Sequence, residues 1–168
     1  MRIELRTAPK GTGPMTDHVM HAGSHVALRE TTTVQRVLAV ATAALLGVDA
    51  YVHLHDAAQY DQFRSSVMSE GTLFRIQGVV AIVVALAVLI WPRVFTWVIS
   101  LLVAASAAVA VTLYTYVNVG QLGPIPNLYE NTWHEPGKIF SAGAETIAAL
   151  ISIVGLVLAV RARRRAAQ

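Results

Sequence analysis

Cysteine is absent from the 168 residues. That excludes disulfides, thiolate metal sites, iron–sulfur clusters and thiol redox chemistry. Charge is scarce too: 14% of residues are charged, against roughly 25% in ordinary soluble domains. No nucleophile motif, glycine-rich phosphate loop or H-E-x-x-H pattern occurs in the chain, so the common enzyme signatures supply no reading. What fills the space is apolar. Hydrophobic residues make up 55% of the chain and the mean hydropathy is +0.54, the composition of a protein that sits in lipid. The length fits one domain.

Four apolar runs carry this composition, at about residues 34–55, 73–91, 94–117 and 139–160. Each has the ~20 residues needed to cross ~30 Å of hydrocarbon at 1.5 Å per residue. Without water to satisfy the backbone, such runs must be helical. Pro92-Arg93 predicts a tight hairpin between the second and third, since proline starts a helix without losing a needed donor. The expected fold is all-α, a four-helix transmembrane bundle running up-down-up-down.

Residues 1–33 are polar, and no apolar core follows Met1 closely. The expectation is a disordered cytoplasmic tail, with a short helix near Asp17–Arg29, and not a cleaved signal. Met15 offers an alternative start. Residues 161–168 form a second, basic tail. The formal charge of +3 does not point to nucleic acid, because the basic residues cluster beside the apolar runs. With both termini cytoplasmic, ten basic residues lie inside: Arg2, Arg6, Lys10, Arg29, Arg36, Arg93, Arg161, Arg163, Arg164 and Arg165. Three lie outside or at the outer edge, Arg64, Arg75 and Lys138. The positive-inside bias therefore predicts a plasma-membrane protein with two outer loops, 56–72 and about 118–138. The second loop holds Gly120, Gly123, Pro124, Pro126 and Pro136 around Tyr129 and Trp133, which argues for an ordered cap and against a fifth helix.

Polar residues inside the runs gather on one side of the membrane. Asp49 precedes the outer end of the first run, with His53 and Asp56 following at i+4 and i+7 on its face. Arg75 and Gln77 enter with the second run, and Glu145 lies two turns into the fourth, among Ser141, Ala144, Ala148, Ala149 and Ser152. The inner half is nearly pure Val, Leu, Ile and Ala. A charge near the bilayer centre costs ~2.5–3.5 kcal/mol on insertion scales, so such groups face the bundle and find partners. The small residues around Glu145 predict close approach of the first and fourth helices, joining Asp49 to Glu145 with Arg75 as the balancing charge.

Two readings of this set compete. One is a structural network, in which Arg75 and Gln77 satisfy the acids. The other is a small outward-opening site for a metal, a proton or a polar ligand head. For a metal the helical set is Asp49, His53, Asp56 and Glu145, and its oxygen and imidazole donors suit Zn²⁺ or Mn²⁺. On a continuous helix His55 is about 200° around from His53 and cannot share one ion with it; with a helix ending near Leu54, His55 and Asp56 turn in instead. Haem finds no second histidine at matching depth, and no cofactor is expected. His18, His21 and His25 share one helical face in the tail, where a solvated role is expected. The Arg161–Arg165 cluster reads as a topology anchor beside lipid headgroups.

The His-Leu-His-Asp56 end of the first run, the Gly71-Thr-Leu-Phe-Arg-Ile-Gln77 entry to the second, and Trp133 with Ser-Ala-Gly-Ala-Glu145 at the fourth carry a resemblance. Over residues 34–160 the chain resembles small four-helix membrane proteins of high-GC Gram-positive bacteria, and more loosely the DoxX-like four-helix group, with no diagnostic motif of the latter. The resemblance implies a topology and a bacterial host, and no mechanism. Together these features predict a non-enzymatic accessory or structural subunit, in contact with the bilayer and with a larger complex or a second copy. The alternative is an ion-, metal- or small-ligand-binding redox or transport accessory. Alternating access finds no inverted repeat to support it.

Overall fold

A computed structural model of the chain describes the backbone of residues 15–168 and the side chains of residues 32–168. Of the expected tail over residues 1–33, residues 1–14 and the side chains of His18, His21 and His25 lie outside these described residues, and from Met15 onward the backbone is the helical start of α1. The architecture is four helices: α1 (Met15–Asp56), α2 (Glu70–Ile90), α3 (Val94–Tyr116) and α4 (Pro136–Arg165), with a short 3-10 turn at Gln59–Gln62 between α1 and α2. All four contain stretches long and apolar enough to cross a membrane, Thr32–Asp56 in the case of α1. Among the described residues there is no strand, only the isolated bridges Arg64 to Ser69 and Leu122 to Ile125.

The helices start where local chemistry supplies their first-turn partners. Ser69 caps α2, its Oγ accepting from the Thr72 N–H at 3.1 Å, so α2 begins three residues before the apolar run does. The Thr96 Oγ1 accepts from the Arg93 N–H at 3.0 Å at the start of α3. Pro136 occupies the first turn of α4, where its missing N–H costs nothing. Arg163, Arg164 and Arg165 fill the last turn of α4, where positive charge suits the helix dipole.

α1 packs along α2 and α4, α3 packs along α4, and the contact of α2 with α3 is lighter than these three. Small residues set the spacing. Ala85, Ala104 and Ala148 surround Leu46 and Val84, and nearer the Trp91–Arg93 turn Ala39, Val88 and Ala159 surround Trp97. Outside, Val37, Val83, Leu86, Phe95, Leu102 and Leu150 stand exposed around the bundle, as expected of side chains that meet lipid. The half of the bundle holding the Trp91–Arg93 turn is less purely aliphatic than its sequence suggests. Ser100 and Ser152 pair there at 2.9 Å, fully buried, and Trp97 is the largest fully buried side chain among the described residues.

Trp97 fits because Gly155 faces it. A Cβ at Gly155 would lie 2.6 Å from the indole ring, so α3 and α4 approach only with glycine at that point. Gly155→Leu is expected to destabilise the bundle by about 1–3 kcal/mol through overpacking. Thermal unfolding in mild detergent measures it, and an unchanged midpoint would mean that the indole is free to move aside.

Candidate functional site

The polar groups converge where α1 ends and α4 begins. Asp49 is wholly buried and saturated with donors. Its Oδ1 accepts from the His53 ring nitrogen Nδ1 at 2.8 Å and from the Ser141 hydroxyl at 3.0 Å. Its Oδ2 accepts from the Gln77 amide at 3.2 Å. His53 Nδ1 also lies 3.0 Å from the Asp49 carbonyl oxygen. Both neighbours of Nδ1 are acceptors, so Nδ1 carries a hydrogen.

Ser141 links the helices. One helical turn below it on α4, Glu145 places Oε1 2.8 Å from the Ser141 hydroxyl. Glu145 is 2% exposed, yet its Oε2 has no hydrogen-bond partner. Asp49, His53 and Glu145 each offer a donor atom within 4.8 Å of the others. The sequence-based expectation that Asp49 and Glu145 share one site across α1 and α4 describes this geometry well. Ser141 as the link was not foreseen, although its i, i+4 relation to Glu145 was legible.

Arg75 requires a correction, because it does not balance these acids. Its guanidinium forks onto Asp61, at 2.8 and 2.7 Å. Gln77, two positions on and about 200° around α2, faces Asp49, which turns Arg75 away from it. The Arg75–Asp61 pair latches the first loop to α2 instead. Ser69 donates to Asp61 at 2.8 Å, and the Asp61 carboxylate lies against Gly71, where a side chain would collide with it. Arg75 first, and Ser69 second, hold the Asp61 carboxyl well below the usual carboxylate range. Asp56 also stands apart from the cluster. It packs at the start of α4, 2.6 Å from where a Cβ on Gly137 would be, where the positive end of the helix dipole favours an anion. His55 stacks on Tyr51 with ring centroids 5.5 Å apart and is exposed, away from the site.

Above the cluster opens a cavity of about 140 Å³ with walls from all four helices and both loops. Five carboxylates line it, Asp56, Glu70, Glu130, Glu135 and Glu145, against one lysine, Lys138, and one histidine, His53. The remaining wall is aromatic and aliphatic, with Phe74, Tyr60 and Tyr114 the largest members. His53 meets Phe74 edge-on at 5.0 Å, and Tyr60 packs on Phe74 at 4.6 Å. The rim is held together by polar contacts. The Tyr60 hydroxyl reaches both Glu130 oxygens at 3.4 Å. Lys138 donates to the Glu130 carbonyl oxygen at 2.7 Å and pairs with its carboxylate at 3.3 Å. The loops join where Ser65 donates to the Pro124 carbonyl at 2.6 Å. Burial pushes the Tyr60 phenol above its ordinary range, and the charges of Glu130, Glu70, Glu135 and Asp56 push it further.

These rim residues were not singled out by the sequence pattern. The available signal was distribution: Asp49, Asp56, Asp61, Glu70, Glu130, Glu135 and Glu145, seven of the ten acids, all fall between residues 49 and 145 and all lie at the loop end. The chain matches no protein-family model, no curated protein and no solved structure.

Proposed function

We propose that the chain is a small non-enzymatic accessory protein of the plasma membrane that binds a small cation in the pocket at its loop end. In this reading both termini are cytoplasmic and the pocket opens outward. The observation that carries it is the lining: five carboxylates against a single lysine, which is itself engaged by Glu130. Negative walls in a low-dielectric surround focus the field and concentrate cations. The aromatic faces of Phe74, Tyr60 and Tyr114 suit cationic groups further. The volume is close to that of an apolar cavity of about 150 Å³ that takes benzene, so the occupant is an ion or a compact ammonium compound.

Thermal unfolding of detergent-purified protein with added salts tests the idea. Small ammonium ions and divalent cations, with chloride as the common anion, are expected to raise the midpoint. Tetrabutylammonium chloride at equal ionic strength, whose cation is too large for a cavity of about 140 Å³, is not. Glu70→Gln combined with Glu130→Gln should remove most of the increase. A midpoint that follows ionic strength alone, whatever the cation, would defeat the reading.

A further inference from the structure

Glu145 Oε2 is the strongest anomaly among the described side chains. It is a carboxyl oxygen, buried, at the floor of a cavity, with no hydrogen-bond partner. Such a group costs several times an ordinary hydrogen bond unless something positive meets it. The neighbouring donors are already committed. Ser141 has one hydroxyl hydrogen and two carboxylates within reach, His53 gives Nδ1–H to Asp49, and Gln77 gives its amide to Asp49. The nearest full cations serve elsewhere, Arg75 on Asp61 and Lys138 on Glu130. Apart from His53, no described side chain around Asp49 and Glu145 brings them a positive charge.

We propose that Asp49, His53 and Glu145 form a binding site for a divalent first-row metal ion at the floor of the pocket, with Glu145 Oε2 as its open donor. This deepens the cation-binding reading and rests on it. The geometry fits. Oxygen and nitrogen ligands lie ~2.0–2.2 Å from such an ion, so donors on opposite sides of it are up to ~4.4 Å apart. The observed spread is at most 4.8 Å, and closing it takes small side-chain rotations. His53 offers Nε2 as the imidazole donor, while its Nδ1–H rests on Asp49 Oδ1 at 2.8 Å and holds the ring, as ligating histidines commonly do with their other nitrogen. One imidazole and two carboxylates suit Zn²⁺, Mn²⁺ or Co²⁺. Three protein donors leave a coordination position facing the cavity, where water or a ligand enters. Gln77 and Ser141 hold the carboxylates in place, the supporting role that metal sites commonly show.

Co²⁺ is the probe. Detergent-purified full-length protein is stripped with chelator, titrated with Co²⁺ and followed by its visible ligand-field absorption, with metal content measured after desalting. One equivalent with a band of low-coordinate intensity is expected. Glu145→Gln and His53→Gln, both close in shape to the native residues, should each weaken binding by at least about tenfold. Asp61→Asn, outside the pocket, should leave the spectrum unchanged. Circular dichroism of the metal-free variants establishes that each is folded, and the two substitutions on different helices guard against one failing to fold. Absence of Co²⁺ binding, with metal-free Glu145→Gln as stable as the parent, means that the two acids share a proton, and the proposal is wrong. Binding that is unchanged in both variants also overturns it, placing the metal elsewhere, for instance on the tail histidines. If ammonium ions stabilise the protein and divalent ions do not, the metal site fails while the cation pocket stands. If no cation acts, both fall.

Discussion

Replacing Asp49 with leucine is expected to be among the most damaging single changes in the bundle, lowering stability by about 1–3 kcal/mol. The carboxylate receives His53, Ser141 and Gln77 from three different helices. Its removal breaks three hydrogen bonds and leaves Gln77 without this acceptor, while His53 keeps the residue-49 carbonyl and Ser141 keeps Glu145; an unpaired buried group costs about 1–3 kcal/mol in a water-soluble core. The total is smaller here, because interhelical hydrogen bonds in membrane proteins average about 0.6 kcal/mol and the leucine recovers some packing. Asp49→Asn keeps one acceptor oxygen and should lose less. Double-mutant cycles give the sharper result. Asp49→Leu with Ser141→Ala should cost less than the sum of the two, because they share a contact. Asp49→Leu with Arg75→Leu should be additive, because Arg75 is engaged by Asp61. Unfolding in mixed micelles reads all of these. Coupling to Arg75 and none to Ser141 would refute the arrangement of the cluster.

The second large effect is all-or-none and concerns orientation. A reporter fused after Gln168 is expected to read as cytoplasmic, and one inserted within residues 121–135 as external. The cause is the count of basic residues, ten toward the termini and the Trp91–Arg93 turn against three toward the loops, a bias that sets topology during insertion. An external C-terminus would turn the acidic pocket toward the cytoplasm. The pocket chemistry would stand, but its cation would come from inside the cell.

Which parts of this were legible beforehand depends on whether they are local or relational. That the chain forms four long helices follows from run length and the backbone's need for partners, and the structure has those four helices. Their ends are less regular. α2 starts at Glu70 because Ser69 caps it, and α4 extends to Arg165, beyond the apolar run, because helical hydrogen bonds do not require apolar side chains. The pairing of Asp49 with Glu145 was readable as well. Small residues around Glu145 allow close approach, and neither acid tolerates lipid.

The partner of Arg75 was not readable, and the reason is physical. α2 is apolar all round after its first two turns, so its sequence does not say which way it is rotated against α1. Rotation decides whether Arg75 or Gln77 meets Asp49, and that is set by Gly78 seating against Leu54 and Ala50 and by Asp61 drawing Arg75 outward. The pocket rim lay further from view, since Tyr60 and Glu130 meet across seventy positions through loops with no periodicity. By itself the sequence determined the membrane helices and their polar end, because hydropathy and backbone satisfaction act residue by residue along the chain. The tertiary structure alone decided which charges meet and which buried oxygen is left open, because those depend on helix rotation and loop closure, which bring together groups that no local pattern relates.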